Sequence, residues 1–313
     1  MDFALNEQQQ AFCDSARQFM EKVLRPNAAQ WDAESIFPVD ALRAAGTLGF
    51  CGLYSPEQAG GLGLSRLDSS LIFDVLSEGC TSTTAFLTIH NMATWMIASW
   101  AQPEVRDLWC PSLTAGEKLA SYCLTEPGAG SDAASLKTTA RRDGDDYVLN
   151  GSKAFISGAG STDVLVLMAR TGVDGPKGIS CFLIPSDLPG ISFGRNEDKM
   201  GWKSQPTRQV ILEQVRVPCS YRLGAEGEGF SIAMRGLDGG RINIASCSLG
   251  AAQAALEQSL RYVEERKQFG KPLSEFQALQ FKLADMLTDL TASRQMVRLA
   301  AHKLDNRHGE ASL

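Results

Sequence analysis

The run Tyr122-Cys123-Leu124-Thr125-Glu126-Pro127-Gly128-Ala129-Gly130-Ser131-Asp132 joins two kinds of sequence. It starts as a short apolar strand, ends that strand in hydroxyls, and passes through two glycines to Ser-Asp. Ahead of it the chain reads as helices. Phe12, Ala16, Phe19, Met20 and Val23 recur at three-to-four spacing between about Asn6 and Leu24. Pro26 is expected to end that helix. A second helix is expected from Pro38 to about Gly49, followed by a glycine-rich loop at Gly60–Gly63. Long apolar segments near Asp68–Gly79 and Ser82–Trp100, and a further one from Pro103 to Thr114, complete a helical first third.

Behind the run, short β-branched and aromatic segments alternate with Gly, Pro, Asp and Asn. They are Leu119–Leu124, Tyr147–Ile156, Val164–Ala169, Ile179–Pro185 and Thr207–Val217. This pattern predicts a compact antiparallel β domain. The last third returns to long Ala/Leu-rich amphipathic helices, Phe230–Glu265 and Phe276–Asp305, joined by a short loop holding Gly270 and Pro272. The order is therefore α, β, α, with domains expected at residues 1–117, 118–222 and 223–313. Two long helices do not close a bundle. The final residues, His308–Leu313, offer no closing element, so the C-terminal bundle reads as unfinished.

Composition excludes several classes. The 313 residues are 44% hydrophobic and 21% charged, an ordinary globular mixture for about two domains. Thirty basic against 36 acidic residues give a net charge of -6. No dense Lys/Arg block exists, which argues against nucleic acid or an anionic membrane as partner. The longest apolar runs are far too short to span a bilayer. The first ten residues carry two acids and no Lys or Arg, unlike a secretory or transit peptide. The eight cysteines never fall within four residues of one another and sit in apolar surroundings, as reduced buried thiols do. Three histidines, His90, His302 and His308, have no zinc-ligand partner at helical spacing. A P-loop, GxSxG and GxGxxG are all missing, which speaks against a metallohydrolase or a His-dependent triad.

Some segments carry two readings. The Thr125–Ser131 stretch offers backbone N–H groups and hydroxyls to an anion or a heterocycle, or it is an ordinary strand-end turn. Phe155 is either a β-domain core aromatic or a ligand contact. Gly239 and Gly240 each cost about 1 kcal/mol in a helix interior. They make room for a ligand or a helix crossing, or mark a frayed helix start. Arg266 by itself reads as a helix-terminal arginine on a solvated face.

Four ordered segments together resemble the acyl-CoA dehydrogenase family. They are Tyr122–Asp132, Lys153-Ala154-Phe155-Ile156-Ser157-Gly158-Ala159, Asp238-Gly239-Gly240-Arg241 at the opening of the first C-terminal helix, and Glu265-Arg266-Lys267-Gln268-Phe269-Gly270-Lys271-Pro272-Leu273 followed by Phe276-Gln277. The resemblance covers the whole chain. It implies an α+β fold: an N-terminal helical domain, a middle antiparallel β-barrel domain and an incomplete C-terminal helical bundle. It implies FAD as cofactor. Tyr122, Cys123, Leu124, Thr125, Gly130 and Ser131 would line the flavin ring, with Thr125 on its pyrimidine side. Phe155 and Ile156 would lie along the ring, and Ser157 would reach toward N5. Arg266, Gln268, Phe269, Phe276 and Gln277 would hold the pyrophosphate and adenosine of FAD in a neighbouring subunit. Ser131, Asp238, Gly239, Gly240 and Arg241 would face the acyl-CoA substrate. A homodimer or homotetramer, with electron-transfer flavoprotein as redox partner, is implied with them.

Thr88-Ile89-His90-Asn91-Met92 and Gly239–Gly250 resemble the branch acting on isobutyryl-CoA in valine degradation. The implied reaction converts isobutyryl-CoA to methacrylyl-CoA, with another short straight or 2-methyl-branched acyl-CoA as the alternative substrate. The implied location is the cytoplasm of a bacterial-type cell, or the mitochondrial matrix for a mature organellar protein. The family's proton-abstracting glutamate is expected beyond Leu313. Gly240 stands where some relatives carry that glutamate. Glu126 belongs to the first motif, and Glu264 and Glu265 fall on the adenosine side. A chain read as truncated is expected to expose apolar helix faces and to dissolve poorly. Its alternative function is a non-catalytic fragment that binds FAD or acyl-CoA.

Overall fold

A computed structural model describes residues 4–307 of the chain. The reading of His308–Leu313 lies outside the described residues. The helical first third comprises α1 (Glu7–Phe19), α2 (Arg25–Ala33), α3 (Val39–Thr47), α4 (Arg66–Ser77), α5 (Thr81–Trp100) and α6 (Pro103–Thr114). The middle is β1 (Ala120–Cys123), β2 (Thr139–Asp143), β3 (Asp146–Ser157), β4 (Val164–Arg170), β5 (Ile179–Pro185), β6 (Ile191–Phe193), β7 (Thr207–Pro218) and β8 (Arg222–Leu223). Two long helices follow, α7 (Gly229–Glu265) and α8 (Gln277–Asp305), with the short strands β9 (Lys267–Gln268) and β10 (Lys271–Pro272) between them.

Three expectations need correction. Pro26 does not end the first helix. A π turn over Met20–Leu24 carries the backbone on, with the Arg25 N–H bonded to the Met20 carbonyl. Pro26 then falls at the second residue of α2, directly after the π turn. The Asn27 side chain donates to the Val23 carbonyl at 2.8 Å beside it. Second, the sheet is not wholly antiparallel. Its order is β6-β7-β3-β2-β4-β5-β8. Strand β1 runs parallel to β4 from Ala120↔Val164 to Cys123↔Leu167, and β2 meets the end of β4 in parallel at Thr139↔Arg170. The β2–β3 hairpin lies between β1 and β4 in sequence, long enough for the crossover that a parallel pair requires. Third, Asp238-Gly239-Gly240-Arg241 does not open a helix. That helix begins at Gly229, so both glycines are interior.

Contacts gather the chain into two compact units. One holds the residues up to Ala29, Ser65–Ala85 and Arg241 onward. There Asn6 forms a capping box with Gln9 at the start of α1, and the Gln9 amide donates to Asp68 of α4 at 2.8 Å. The Asp305 carboxylate accepts the Arg66 and Leu67 N–H groups at 2.7 and 3.0 Å, placing negative charge on the N-terminus of α4. Arg294 of α8 donates to Asp74 of α4 at 2.8 Å. Leu249, Leu256 and Leu290 form the buried seam of α7 and α8. Phe281, Met286, Leu287, Met296 and Leu299 stay exposed.

The other unit holds Gln30–Leu64 and Phe86–Gly240. Alternate residues of the sheet serve two cores. Val164, Val166, Met168, Cys181 and Leu183 join residues of α5 and α6. Leu165, Leu167, Phe182, Ile184, Val210 and Leu212 join Tyr147 and Leu149. The period of two along β4 and β5 explains why both strands read as continuous apolar runs: each of their faces is buried. Seven of the cysteines are buried free thiols and Cys219 is half-buried. Among the described residues no helix is long and apolar enough to cross a membrane.

Candidate functional site

The glycine-rich loop leaves β1 at Cys123. Glu126 and Ala129 exchange N–H···O bonds at 3.0 and 3.1 Å, folding Pro127 and Gly128 into a tight turn. Pro127, Gly128, Gly130 and Ser131 are exposed, whereas Cys123 and Leu124 are buried and Thr125 is half-buried. A Cβ placed on Gly128 or Gly130 would meet nothing within 4 Å, so the loop borders open space. Below it, the Tyr122 hydroxyl is buried without a hydrogen-bond partner. Burial pushes its pKa up.

Strand β3 runs beside this loop, and the Ala154 N–H donates to the Thr125 carbonyl at 2.9 Å. The β3–β7 register slips between Lys153↔Val210 and Ile156↔Arg208, with Ala154 and Phe155 facing the single residue Gln209. This is a β-bulge, and Phe155 is its residue with φ +58°. A left-handed phenylalanine costs about 1–2 kcal/mol. The bulge turns the ring out of the sheet, where Phe155 is 65% exposed while Ile156 stays buried. The reading of Phe155 as a core aromatic is thus excluded. Ser157 accepts the Ser121 hydroxyl on its carbonyl at 2.7 Å. Gly158 (φ +81°) follows, and a Cβ there would meet Phe86, Thr162 and Ser121 at 2.5–2.9 Å.

Sequence reasoning gave no role to the pair beneath these elements. Lys153 is 0% exposed and donates to Glu126 at 2.8 Å and to the Leu124 carbonyl at 3.1 Å. Glu126, 7% exposed, also accepts the Lys137 and Thr138 N–H groups at 2.6 and 3.0 Å. Burial raises the Glu126 carboxyl, but Lys153 and the donated hydrogen bonds outweigh it and hold it below the usual range. Burial lowers the Lys153 ammonium, opposed by Glu126. The sequence signal was a lysine within an apolar strand and a glutamate within a glycine loop.

Asp238, Gly239 and Gly240 lie on the first part of α7. Gly239 is buried, and a Cβ on Gly240 would touch the Met92 sulfur of α5 at 3.3 Å. Arg241 is exposed and belongs to the other unit. That second unit also carries Arg266, Gln268, Phe269, Phe276 and Gln277. Phe269 (φ +54°) and Gly270 (φ +80°) form the two-residue turn of the β9–β10 hairpin. Such a turn wants Asn-Gly, yet it presents a phenylalanine that is 91% exposed. The Phe269 and Phe276 rings stand edge to face at 6.2 Å, and Lys271 Nζ lies 4.4 Å from the Phe276 centroid. Arg266, Gln268 and Gln277 are exposed beside them. The loop residues thus lie in one unit and the hairpin residues in the other. Among the described residues no three His, Cys, Asp or Glu could hold a metal ion.

Models of the N-terminal, middle and C-terminal domains of acyl-CoA dehydrogenase match residues 6–117, 121–215 and 227–312. The chain belongs to the acyl-CoA dehydrogenase family, oxidoreductases that are FAD flavoproteins. It is 54% identical over 307 residues to the mitochondrial isobutyryl-CoA dehydrogenase of Bos taurus, covering 98% of this chain and 74% of that protein. The solved butyryl-CoA dehydrogenase of Megasphaera elsdenii superposes with a TM-score of 0.95 at 36% identity, over 99% of this chain and 83% of that one. A structure described under the electron transferring flavoprotein of Acidaminococcus fermentans matches at 0.96 and 40% identity, over 100% and 83%.

Proposed function

We propose that the protein binds FAD and removes two hydrogens across the α and β carbons of isobutyryl-CoA, giving methacrylyl-CoA. The carrying observation is the Thr125–Ser131 loop, open to solvent and bonded to the strand that turns Phe155 outward. The likeness to isobutyryl-CoA dehydrogenase supports that substrate within the family.

The residues fit a flat heterocycle with polar edges. An exposed ring at Phe155, open space over Gly128 and Gly130, and the unpartnered Tyr122 hydroxyl all support that fit. Bound FAD supplies the acceptor for the β-hydride. Thr125 and the neighbouring N–H groups would donate to the pyrimidine edge, with Tyr122, Cys123, Leu124, Gly130 and Ser131 beside it. Phe155 would exclude water from the ring, Ile156 would meet it through backbone alone because its side chain is in the sheet core, and Ser157 would donate near N5. Asp238, Gly239, Gly240 and Arg241, with Ser131, would orient the thioester. Arg266, Gln268, Phe269, Phe276 and Gln277 would hold pyrophosphate and adenosine of a second copy, which makes the working form a dimer or tetramer. Electron-transfer flavoprotein is the proposed acceptor, and the three segments 1–117, 118–222 and 223–313 are the proposed domains.

The proton must leave the α-carbon to a carboxylate with an elevated pKa. Glu126 is not that group, because it is committed to Lys153 and two backbone N–H groups. Glu264 and Glu265 are exposed on the adenosine side. None of these three glutamates is assigned as the base. The test is the visible flavin spectrum of the 313-residue chain with FAD, before and after anaerobic isobutyryl-CoA or butyryl-CoA. Uptake of FAD with a spectral shift larger for isobutyryl-CoA supports the reading. A chain that takes up no flavin refutes it, and bleaching by isobutyryl-CoA places the base within the chain.

A further inference from the structure

Burying an ion pair gives up the hydration of both charges, and an apolar pair of similar volume often serves stability as well or better. Lys153 and Glu126 are nevertheless almost fully enclosed. Their bonds show what the pair holds. Lys153 grips the Leu124 carbonyl, and Glu126 grips the Lys137 and Thr138 N–H groups, so both roots of the loop meet at one point. The same lysine sits two residues before Phe155, and Ala154 between them holds Thr125. Nothing within 4 Å would brace a side chain at Gly128 or Gly130. The loop tip therefore takes its position from its roots and from Ala129, which is buried between the two glycines and bonded to the Glu126 backbone.

We propose that the Lys153–Glu126 pair is a positioning device that sets the Thr125–Ser131 loop and the Phe155 ring in flavin-receiving geometry before flavin arrives. The proposal rests on the flavin reading above. A loop ordered in advance spares binding the cost of ordering it. Lys153 and Glu126 act through the loop and touch no reacting atom.

The experiment measures FAD dissociation constants by quenching of flavin fluorescence, amide exchange across residues 124–138, and melting temperatures. The proteins are the full chain, K153M, E126Q and a control, Leu212→Ala, which thins the sheet core away from the loop. K153M is expected to bind FAD at least tenfold more weakly and to exchange its loop amides at least tenfold faster. E126Q keeps its shape and one acceptor oxygen, and is expected to fall between K153M and the wild type. It carries the test should K153M not fold. The control is expected to keep FAD affinity within about threefold at a comparable loss of melting temperature, as no loop bond changes. Wild-type affinity in both pair variants, or an equal loss in the control, overturns the proposal alone. A wild-type chain that takes up no FAD overturns the flavin reading and this proposal together.

Discussion

His90 should make the chain acid-sensitive in a defined window. The ring is wholly buried on α5. Its Nδ1 accepts the Ala120 N–H at 3.1 Å, and Nε2 lies 3.0 Å from the Leu113 carbonyl. This arrangement assigns the single proton to Nε2. A second proton would set N–H against N–H at the head of β1. Burial pushes the pKa down to about 4, with the Leu113 bond and the Asp163 charge pulling the other way. An unfolded histidine titrates near 6.5. Between those values the unfolded chain takes up a proton that the folded chain refuses. The stability contribution is therefore complete above about pH 6.5 and is lost as pH falls toward 4. The full gap corresponds to roughly 3 kcal/mol, most of which is gone by about pH 4.5. Urea unfolding at about pH 7.5 and 4.5 should be compared for wild type and His90→Asn. The asparagine oxygen can accept the Ala120 N–H, while Leu113 loses its donor, so the variant starts about 1 to 2 kcal/mol lower. Its decline between the two pH values should be about 2 to 3 kcal/mol smaller than that of wild type. Equal declines would refute the argument, because His90 would then titrate alike in both states.

Other substitutions separate opposing effects. Gly250→Ala should gain about 1 kcal/mol of helix propensity inside α7. Its Cβ would sit 2.1 Å from the Asp74 carbonyl oxygen and the Ser77 hydroxyl, so α4 and α7 must part. The clash should win, with a net loss of about 2 kcal/mol or more in chemical denaturation. A stabilised variant would show that this crossing is loose. Arg294→Met leaves the Asp74 carboxylate enclosed without its 2.8 Å partner and should cost about 3 kcal/mol. A double variant that also replaces Asp74 with Asn should recover much of it. Tyr122→Phe removes a buried hydroxyl that has no partner, so the flavin-free chain should melt at the same temperature or higher. A clear fall in melting temperature would mean that the hydroxyl is bonded.

The order of helices, strands and helices was legible because each kind of segment carries its own period. Alternation and turn residues marked β3 and β7, and three-to-four spacing marked α1 and α8. The glycine loop and the FGKPL hairpin were legible as motifs, since glycine and proline at fixed offsets constrain the backbone locally. Pro26 misled because a proline is judged by its nearest turn. Whether a helix stops there depends on the π turn ahead of it, which shifts the hydrogen-bond register. Phe155 by itself read more readily as a core aromatic than as a contact. Only the one-residue slip between β3 and β7, two strands some fifty residues apart in sequence, decides which way the ring faces.

The sequence by itself determined which segments are helix or strand, where the glycine turns fall, and the family to which they add up. Those properties come from spacing among neighbours in the chain. The tertiary structure decided the parallel entry of β1 beside β4, the outward turn of Phe155 and the meeting of Lys153 with Glu126. Each of these depends on groups far apart in sequence reaching hydrogen-bond distance. That distance is set by sheet register and burial, which no local pattern encodes.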